Sequence, residues 1–258
     1  MKLLEVITYL DSVKPNAYST KEKIIWINNV EGMIKTEVMR DYTAVTINIA
    51  DKENLQYDLG NINIEDISEV YFDKKRVSKV DFRDAVPMIL NQDNNTEFNY
   101  DTITLILLNK HVPYRYVNYA SGQNSIVFTD STITLPNADY LLAGDFIEIK
   151  GCTNAPSNNK IIEIKEKQDN VLSFGTGAFT PTTETDVEIS RYLNDVLILE
   201  PPYSEMYYFY LSSKIDYLNK EYESYNNTIS QFNSLFNDYK NWYAQQKGSK
   251  TAVFNNFY

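Results

Sequence analysis

The stretch PPYSEMYYFYLSSKIDYLNKEYESYNNTISQFNSLFNDYKNWYAQQ contains no glycine and, after its first two residues, no proline. Large apolar groups recur at Tyr203, Tyr207, Leu211, Ile215, Leu218, Tyr222, Tyr225, Ile229, Phe232, Phe236, Tyr239 and Tyr243. From Ile215 onward their spacing alternates between three and four residues, the period of a helix lying along another helix. A continuous helix over 203–246 would run on the order of 65 Å at ~1.5 Å per residue, longer than a small domain is wide. It must therefore meet a neighbour or fold back. Asn226-Asn227-Thr228 marks a candidate break, because Thr228 and Gln231 have the spacing of a capping box. The stripe reads either as a core seam alone or as a seam that also faces a second subunit. In the latter case Tyr208, Phe209 and Trp242, aromatic residues off the seam, are the interface candidates, since aromatic side chains anchor such contacts.

Partners for this stripe exist at the other end of the chain. LLEVITYL sets Leu3, Val6, Ile7 and Leu10 at helical spacing, and Lys14-Pro15-Asn16 stops it. Ser19 and Glu22 form a capping-box pattern ahead of a second helix whose face is Ile24, Ile27, Ile34 and Val38, with Val30 alongside. Neither helix is long enough to bury its own face. Near Asp41 the period changes to two: Val45, Ile47 and Ile49 alternate with polar residues as a half-buried strand requires. Residues 67–82 read as a hairpin turning at Asp73-Lys74, with Tyr71, Val77, Val80 and Phe82 in its arms. TITLILL over 102–108 is a further strand.

Between about Tyr119 and Tyr192 helical periodicity is lost. SIVF, TITLP, DFIEIKG, KIIEIKE, VLSF and DVEIS are short strands separated by turn signals, which predicts a small β-barrel or sandwich. DVLILE, 195–200, then reads as a strand leading into the long helix. The expected fold is α+β: a helical body with a small sheet, residues 1–118 plus 193–258, carrying an inserted β-module, residues 119–192.

After Lys247-Gly248, a helix stop, comes a tail that is not polar. Val253, Phe254, Phe257 and Tyr258 would each forgo roughly 1.5–3 kcal/mol if left exposed. The tail is expected to dock, either on its own body or by adding a strand to the sheet edge of a partner.

Charge and composition narrow the function. A net charge of −11 argues against a protein that grips nucleic acid through its phosphates, though an acidic wall suits a channel past which nucleic acid slides. One cysteine, Cys152, and one histidine, His111, provide neither an internal disulfide nor the ligand clusters of zinc enzymes. No P-loop, dinucleotide fingerprint, GxSxG, HExxH or EF-hand loop occurs, and the expectation is a non-enzyme without a cofactor or metal. MKLLEVITYLDSVKP lacks the uninterrupted apolar core of a secretory signal, because Glu5 and Asp11 fall within it. No run has the roughly 18 apolar residues of a membrane span. The expected site of synthesis is the cytoplasm, without a membrane partner.

PPYSEMYYFYLSSKIDYLNKEYESYNN followed by FNSLFNDYKNWY resembles the head–tail adaptor (connector) proteins of long-tailed bacteriophages. WINNVEGMIKTEVM and EVYFDKKRVSKVDF also look like phage neck components, and LLAGDFIEIKGCTNAPSNNKIIEI looks like the small β-modules of virion proteins. The resemblance covers about half of the chain by pattern and includes no catalytic signature; the size of the β-insertion departs from the mostly helical minimal adaptors. It implies a virion protein at the head–tail junction, made in the host cytoplasm. It further implies a homo-oligomeric, dodecameric ring below the portal. The implied partners are the portal protein, a stopper, neck or tail-terminator protein, and double-stranded DNA that passes through without specific binding. On this reading Val253, Phe254, Phe257 and Tyr258 contact the portal. The alternative is a baseplate or receptor-binding component whose β-module binds a glycan or host surface.

Overall fold

The computed structural model describes residues 1–49, 56–77, 81–83, 88–90, 100–120 and 125–246. The class is α+β, with four α-helices and a set of small antiparallel sheets among the described residues. The chain forms two compact units: residues 1–28 with 113–237, and residues 29–112 with the chain from Asp238 onward.

In the first unit, α1 (Leu3–Val13) buries Leu3, Val6, Ile7 and Leu10, the face its spacing predicts. Two of its otherwise unpartnered N-terminal amides are satisfied across the fold. The Leu3 amide donates to the Asp195 carbonyl at 2.9 Å and the Leu4 amide to Leu193 at 3.2 Å. Lys2 forms a single bridge with Val196, so the strand expected over 195–200 is reduced to that one pairing. The predicted capping box at the start of α2 (Thr20–Met33) forms: the Ser19 amide donates to Glu22 Oε2 at 2.8 Å, and the Glu22 amide to Ser19 Oγ at 3.3 Å. The Ser19 hydroxyl, donating to the same Oε2 at 2.7 Å, and then the Ser19 amide hold the Glu22 carboxyl below its ordinary pKa.

In the second unit, a π-helical turn, Ile34–Met39, follows α2 and ends at Arg40 in the left-handed region (φ 46°). The strands are β1 (Tyr42–Asn48), β2 (Gln56–Asp58), β3 (Ile67–Phe72), β4 (Lys75–Val77), β5 (Asp81–Arg83), β6 (Met88–Leu90) and β7 (Thr102–Leu108). One sheet runs β1-β7-β3-β4 and another β2-β6-β5. Ile49, Val70, Phe72, Ile103 and Leu105 form the core of this unit with Leu59. The hairpin turns at Asp73-Lys74 as expected, with Asp73 at φ 52° and Phe72 opposite Lys75. Its second arm, however, ends at Val77. Phe82 belongs to β5, which pairs with β6, and Val80 lies outside the described residues. Asp73 explains the tight corner: its Oδ1 accepts the amides of Asp101 and Thr102 at 2.9 and 3.0 Å, tying the turn to the start of β7.

The strands of the first unit are β8 (Asn118–Ala120), β9 (Ile126–Phe128), β10 (Thr132–Thr134), β11 (Phe146–Lys150), β12 (Ile161–Glu163), β13 (Glu166–Gln168), β14 (Val171–Ser173), β15 (Thr182–Glu184) and β16 (Glu188–Arg191). They make two sheets, β13-β14-β10-β9-β15 and β12-β11-β16-β8, and among the described residues these do not close into a barrel. Both contribute to one apolar cluster, including Phe128, Ile133 and Leu172 from the first and Ile147, Ile149 and Ile189 from the second. Where β11 passes β16, Gly151 (φ 87°) could not carry a Cβ, which would sit 2.8 Å from the Asp186 carbonyl oxygen.

The segments that enter and leave this pair of sheets are clamped by charge. Arg115 grips Asp145 through Nη2, at 2.7 and 3.0 Å from its two oxygens. Arg191 reaches the same carboxylate through Nε at 3.1 Å and holds Asp195 with both Nη atoms at 2.8 and 2.7 Å. Asp145 is 6% exposed, and a carboxylate buried to that degree is costly unless paired and hydrogen-bonded in this way.

The C-terminal stripe forms two helices, α3 (Glu205–Leu218) and α4 (Tyr222–Gln246). The break lies at residues 219–221 and not at Asn226–Thr228, through which α4 runs unbroken. The Lys220 amide bonds to Tyr217 and the Glu221 amide to Asp216, with Lys220 at φ 63°. That is a Schellman motif, with lysine at the position where glycine is usual. Thr228 caps no helix: its hydroxyl donates to the Ser224 carbonyl at 2.9 Å and to Asp216 Oδ2 at 3.1 Å. α4 turns back along α3, with Tyr210 against Phe232 at 5.0 Å and Tyr217 against Tyr225 at 5.4 Å. α1 runs beside α3 in the same direction, Tyr9 meeting Tyr208 and Lys14 meeting the buried Asp216.

Candidate functional site

Tyr208 and Phe209, half-buried on α3, stand in a groove of about 530 Å³. Val6 and Tyr9 of α1, Pro201 before α3 and Leu235 of α4 complete its apolar walls. The Tyr208 ring meets Tyr9 edge-on at 5.5 Å and Phe209 at 5.5 Å. Glu205 is the one charged side chain among the described lining residues. It sits in the first turn of α3, where a carboxylate complements the helix dipole.

The local sequence explains why this surface stays open. Tyr207, one position on from Met206, turns fully inward, and its hydroxyl accepts the Leu199 amide at 3.1 Å. The same helical phase leaves Tyr208 and Phe209 on the flank, between the core face and solvent. A second apolar surface lies at the α3–α4 corner, where Tyr217, Leu218 and Tyr222 are 55%, 50% and 58% exposed. Nothing in the spacing signals that patch, because a continuous helix would have put Leu218 and Tyr222 on the buried seam.

Trp242, the third interface candidate, belongs to the second unit, where it is 41% exposed and stacks on Tyr239 at 5.6 Å. The structure thus brings Tyr208 and Phe209 together at one groove and places Trp242 elsewhere in the chain. Val253, Phe254, Phe257 and Tyr258 lie outside the described residues.

The chain has one thiol and one imidazole. The Cys152 thiol is buried, and burial with the Glu184 charge nearby pushes its pKa up to about 11. It is therefore protonated at neutral pH and a poor nucleophile. His111 Nδ1 is 3.9 Å from Glu31 Oε2, beyond hydrogen-bond reach. Burial, with Lys35 nearby, lowers the imidazole pKa, so the contact is not an ion pair at neutral pH. Among the described residues no group of three or more His, Cys, Asp or Glu side chains could hold a metal ion. No helix there is long and apolar enough to cross a membrane.

A smaller recess of about 270 Å³ opens on the β-sheet part of the first unit, between β8 and the 137–141 loop. Phe128, Phe174 and Phe179 of this region are in the core, whereas Tyr140 is 73% exposed and lines the recess.

Comparison with known protein families, curated proteins and solved structures found no match to this chain.

Proposed function

We propose that the chain is a structural protein of a long-tailed bacteriophage particle, a head–tail adaptor whose copies ring the DNA channel beneath the portal. The observation that carries this reading is the aromatic groove around Tyr208 and Phe209. An open apolar surface of that kind is a place to receive another protein. The exposed corner of Tyr217, Leu218 and Tyr222 adds to it. The resemblance described above supplies the identity of the partners: the portal, a stopper, neck or tail-terminator protein, and neighbouring copies in a dodecameric ring. The net charge of −11 suits a channel that lets double-stranded DNA pass.

In this reading residues 119–192 are an inserted β-module on a helical body. Val253, Phe254, Phe257 and Tyr258 grip the portal, and Tyr208, Phe209 and Trp242 meet neighbouring subunits. The mechanism is adhesive and mechanical, without cofactor or covalent chemistry. Cosedimentation of the purified chain with its cognate portal ring tests it. The expected result is saturable binding near one copy per portal subunit, lost when residues 249–258 are deleted. No binding by the full-length chain overturns the proposal.

The exposed Tyr140 favours a second reading, a baseplate or receptor-binding component whose β-module recognises a glycan. Selective binding on a glycan array, with no affinity for the portal, is the outcome that would replace the first reading by the second.

A further inference from the structure

We infer that the open edge of β1 pairs with the same strand of a second copy, so that two chains form one sheet across a two-fold axis. The inference concerns the free chain and does not rest on the adaptor reading.

β1 is the outer strand of the sheet β1-β7-β3-β4, and among the described residues it pairs only with β7. Two bonds fix its phase: the Ile49 amide donates to the Asp101 carbonyl and the Asn109 amide to that of Asp41, both at 2.9 Å. Bonded positions alternate along an antiparallel ladder, so the amides and carbonyls of Thr43, Val45 and Ile47 face β7. Those of Tyr42, Ala44, Thr46 and Asn48 point the other way, out of the edge.

Such an edge is a template for another strand, and folded proteins blunt it with a charge, a proline, a bulge or brevity. β1 has none of these. Its seven residues, YTAVTIN, carry no charge and no proline, and they pair with β7 without a shift of register. Every other edge strand among the described residues is three residues long. Val45 and Ile47, on the same face as the core residue Ile49, are only half-buried. The edge thus leaves apolar surface as well as backbone groups uncovered.

A second copy of β1 fits this edge along its whole length. With the strands antiparallel about Val45, Tyr42 lies opposite Asn48 of the second copy and Ala44 opposite its Thr46, and each such pair exchanges two hydrogen bonds. Val45 meets Val45 at the two-fold axis, in the closer spacing of a non-bonded pair, and Thr43 meets Ile47 on the same face. Charge selects the occupant. The chain carries −11, and like charges facing each other across strands are destabilising, whereas here one uncharged strand meets another. A two-fold contact closes with two copies, so in the adaptor reading it belongs to the chain before ring assembly.

The test uses the full chain at rising concentration, with sedimentation velocity for the mass and residue-resolved amide hydrogen exchange for the contact. Sedimentation should follow a monomer–dimer equilibrium. As the dimer fills, the amides of Tyr42, Ala44, Thr46 and Asn48 should exchange at least about tenfold more slowly. Those of Thr43, Val45 and Ile47 should stay protected throughout and serve as the internal control. Ala44→Pro removes one outward donor and no bond to β7, a change that a sheet edge tolerates. It should abolish the dimer while the control amides remain protected. A monomer at every concentration overturns the inference, as does a dimer that Ala44→Pro leaves intact or whose four edge amides exchange as fast as in the monomer. Slowed edge amides that become fast when residues 247–258 are deleted would give the edge to the tail of a second copy and overturn the two-fold pairing.

Discussion

The backbone carbonyl of Asp216 accepts the amide of Glu221 at 2.8 Å, and at that bond one aromatic stripe becomes two helices. The bond closes only because Lys220 between them adopts φ 63°, a left-handed conformation that strains a side chain with a Cβ. Lys220→Gly should therefore stabilise the protein by about 0.5–1 kcal/mol. Chemical denaturation would show a higher midpoint with unchanged slope. A lower midpoint would mean that the lysine side chain contributes more than its backbone conformation costs.

Asp216 is fully buried and ties three helices together, α1, its own α3 and α4. Its carboxylate pairs with Lys14, the C-cap of α1, and accepts from Thr228 of α4. Asp216→Ala leaves the half-buried Lys14 ammonium and the Thr228 hydroxyl without that acceptor. The expected loss is about 3 kcal/mol, the range for breaking a buried charge pair. Thr228→Val should cost about 1 kcal/mol by removing one ordinary hydrogen bond. Near-equal effects for the two variants in urea titration would contradict the assignment.

Glu184 does for a loop what Asp216 does for the helices. Its carboxylate is buried and accepts three consecutive amides, those of Thr153 and Asn154 at 3.1 Å and of Ala155 at 2.7 Å. Burial by itself raises the pKa of this group, but the amides of Asn154, Ala155 and Thr153 outweigh it and the net direction is down. A depressed folded-state pKa means stability that is complete above the unfolded value of about 4.3 and lost as the pH falls through the lower, folded value. Glu184→Gln should cost about 2 kcal/mol at neutral pH, and its deficit against wild type should shrink in acid. Cys152 reports the same event, because its amide lies next to this loop and its thiol is buried. Alkylation of Cys152 in the native protein should be slow at pH 8 and markedly faster in Glu184→Gln. Equal labelling rates would show that the loop does not depend on the carboxylate.

Tyr208→Ser with Phe209→Ser alters the groove while leaving the buried Tyr207 and Leu211 in place. The helical circular dichroism signal should persist. Portal cosedimentation and self-association should both fall by about tenfold or more, as for aromatic anchors at an interface centre. Unchanged assembly would move the interface away from α3.

Local signals proved readable and spatial ones did not. The Ser19–Glu22 box, the stop after α1, the Asp73-Lys74 corner, the alternation in β1 and the apolar run of β7 each depend on neighbours within a few residues. The helix break was misplaced because Asn226-Asn227-Thr228 carries break-forming residue types, while the real corner uses a lysine held left-handed by hydrogen bonds to Asp216 and Tyr217. Glu184 gives no warning at all, since its three partners are about thirty residues away. The expectation of a barrel or sandwich stays undivided in the sequence, because strand count and turn spacing do not say whether the ends of two sheets join; among the described residues they do not close into a barrel. Of the groove, the aromatic residues off the seam were legible, but not that α1 and Leu235 would enclose them.

The amides of Leu3 and Leu4 find their partners at Asp195 and Leu193, and this separation sets a clock on the ribosome. At roughly 5–20 residues per second, the opening helix emerges on the order of ten to forty seconds before those carbonyls exist. For that interval Leu3, Val6, Ile7 and Leu10 have no surface to cover them, whereas the β1–β7 strands between can already pair with one another. The nascent chain thus passes through a stage with paired strands in its middle and an exposed greasy beginning, which is where a holding chaperone would find it.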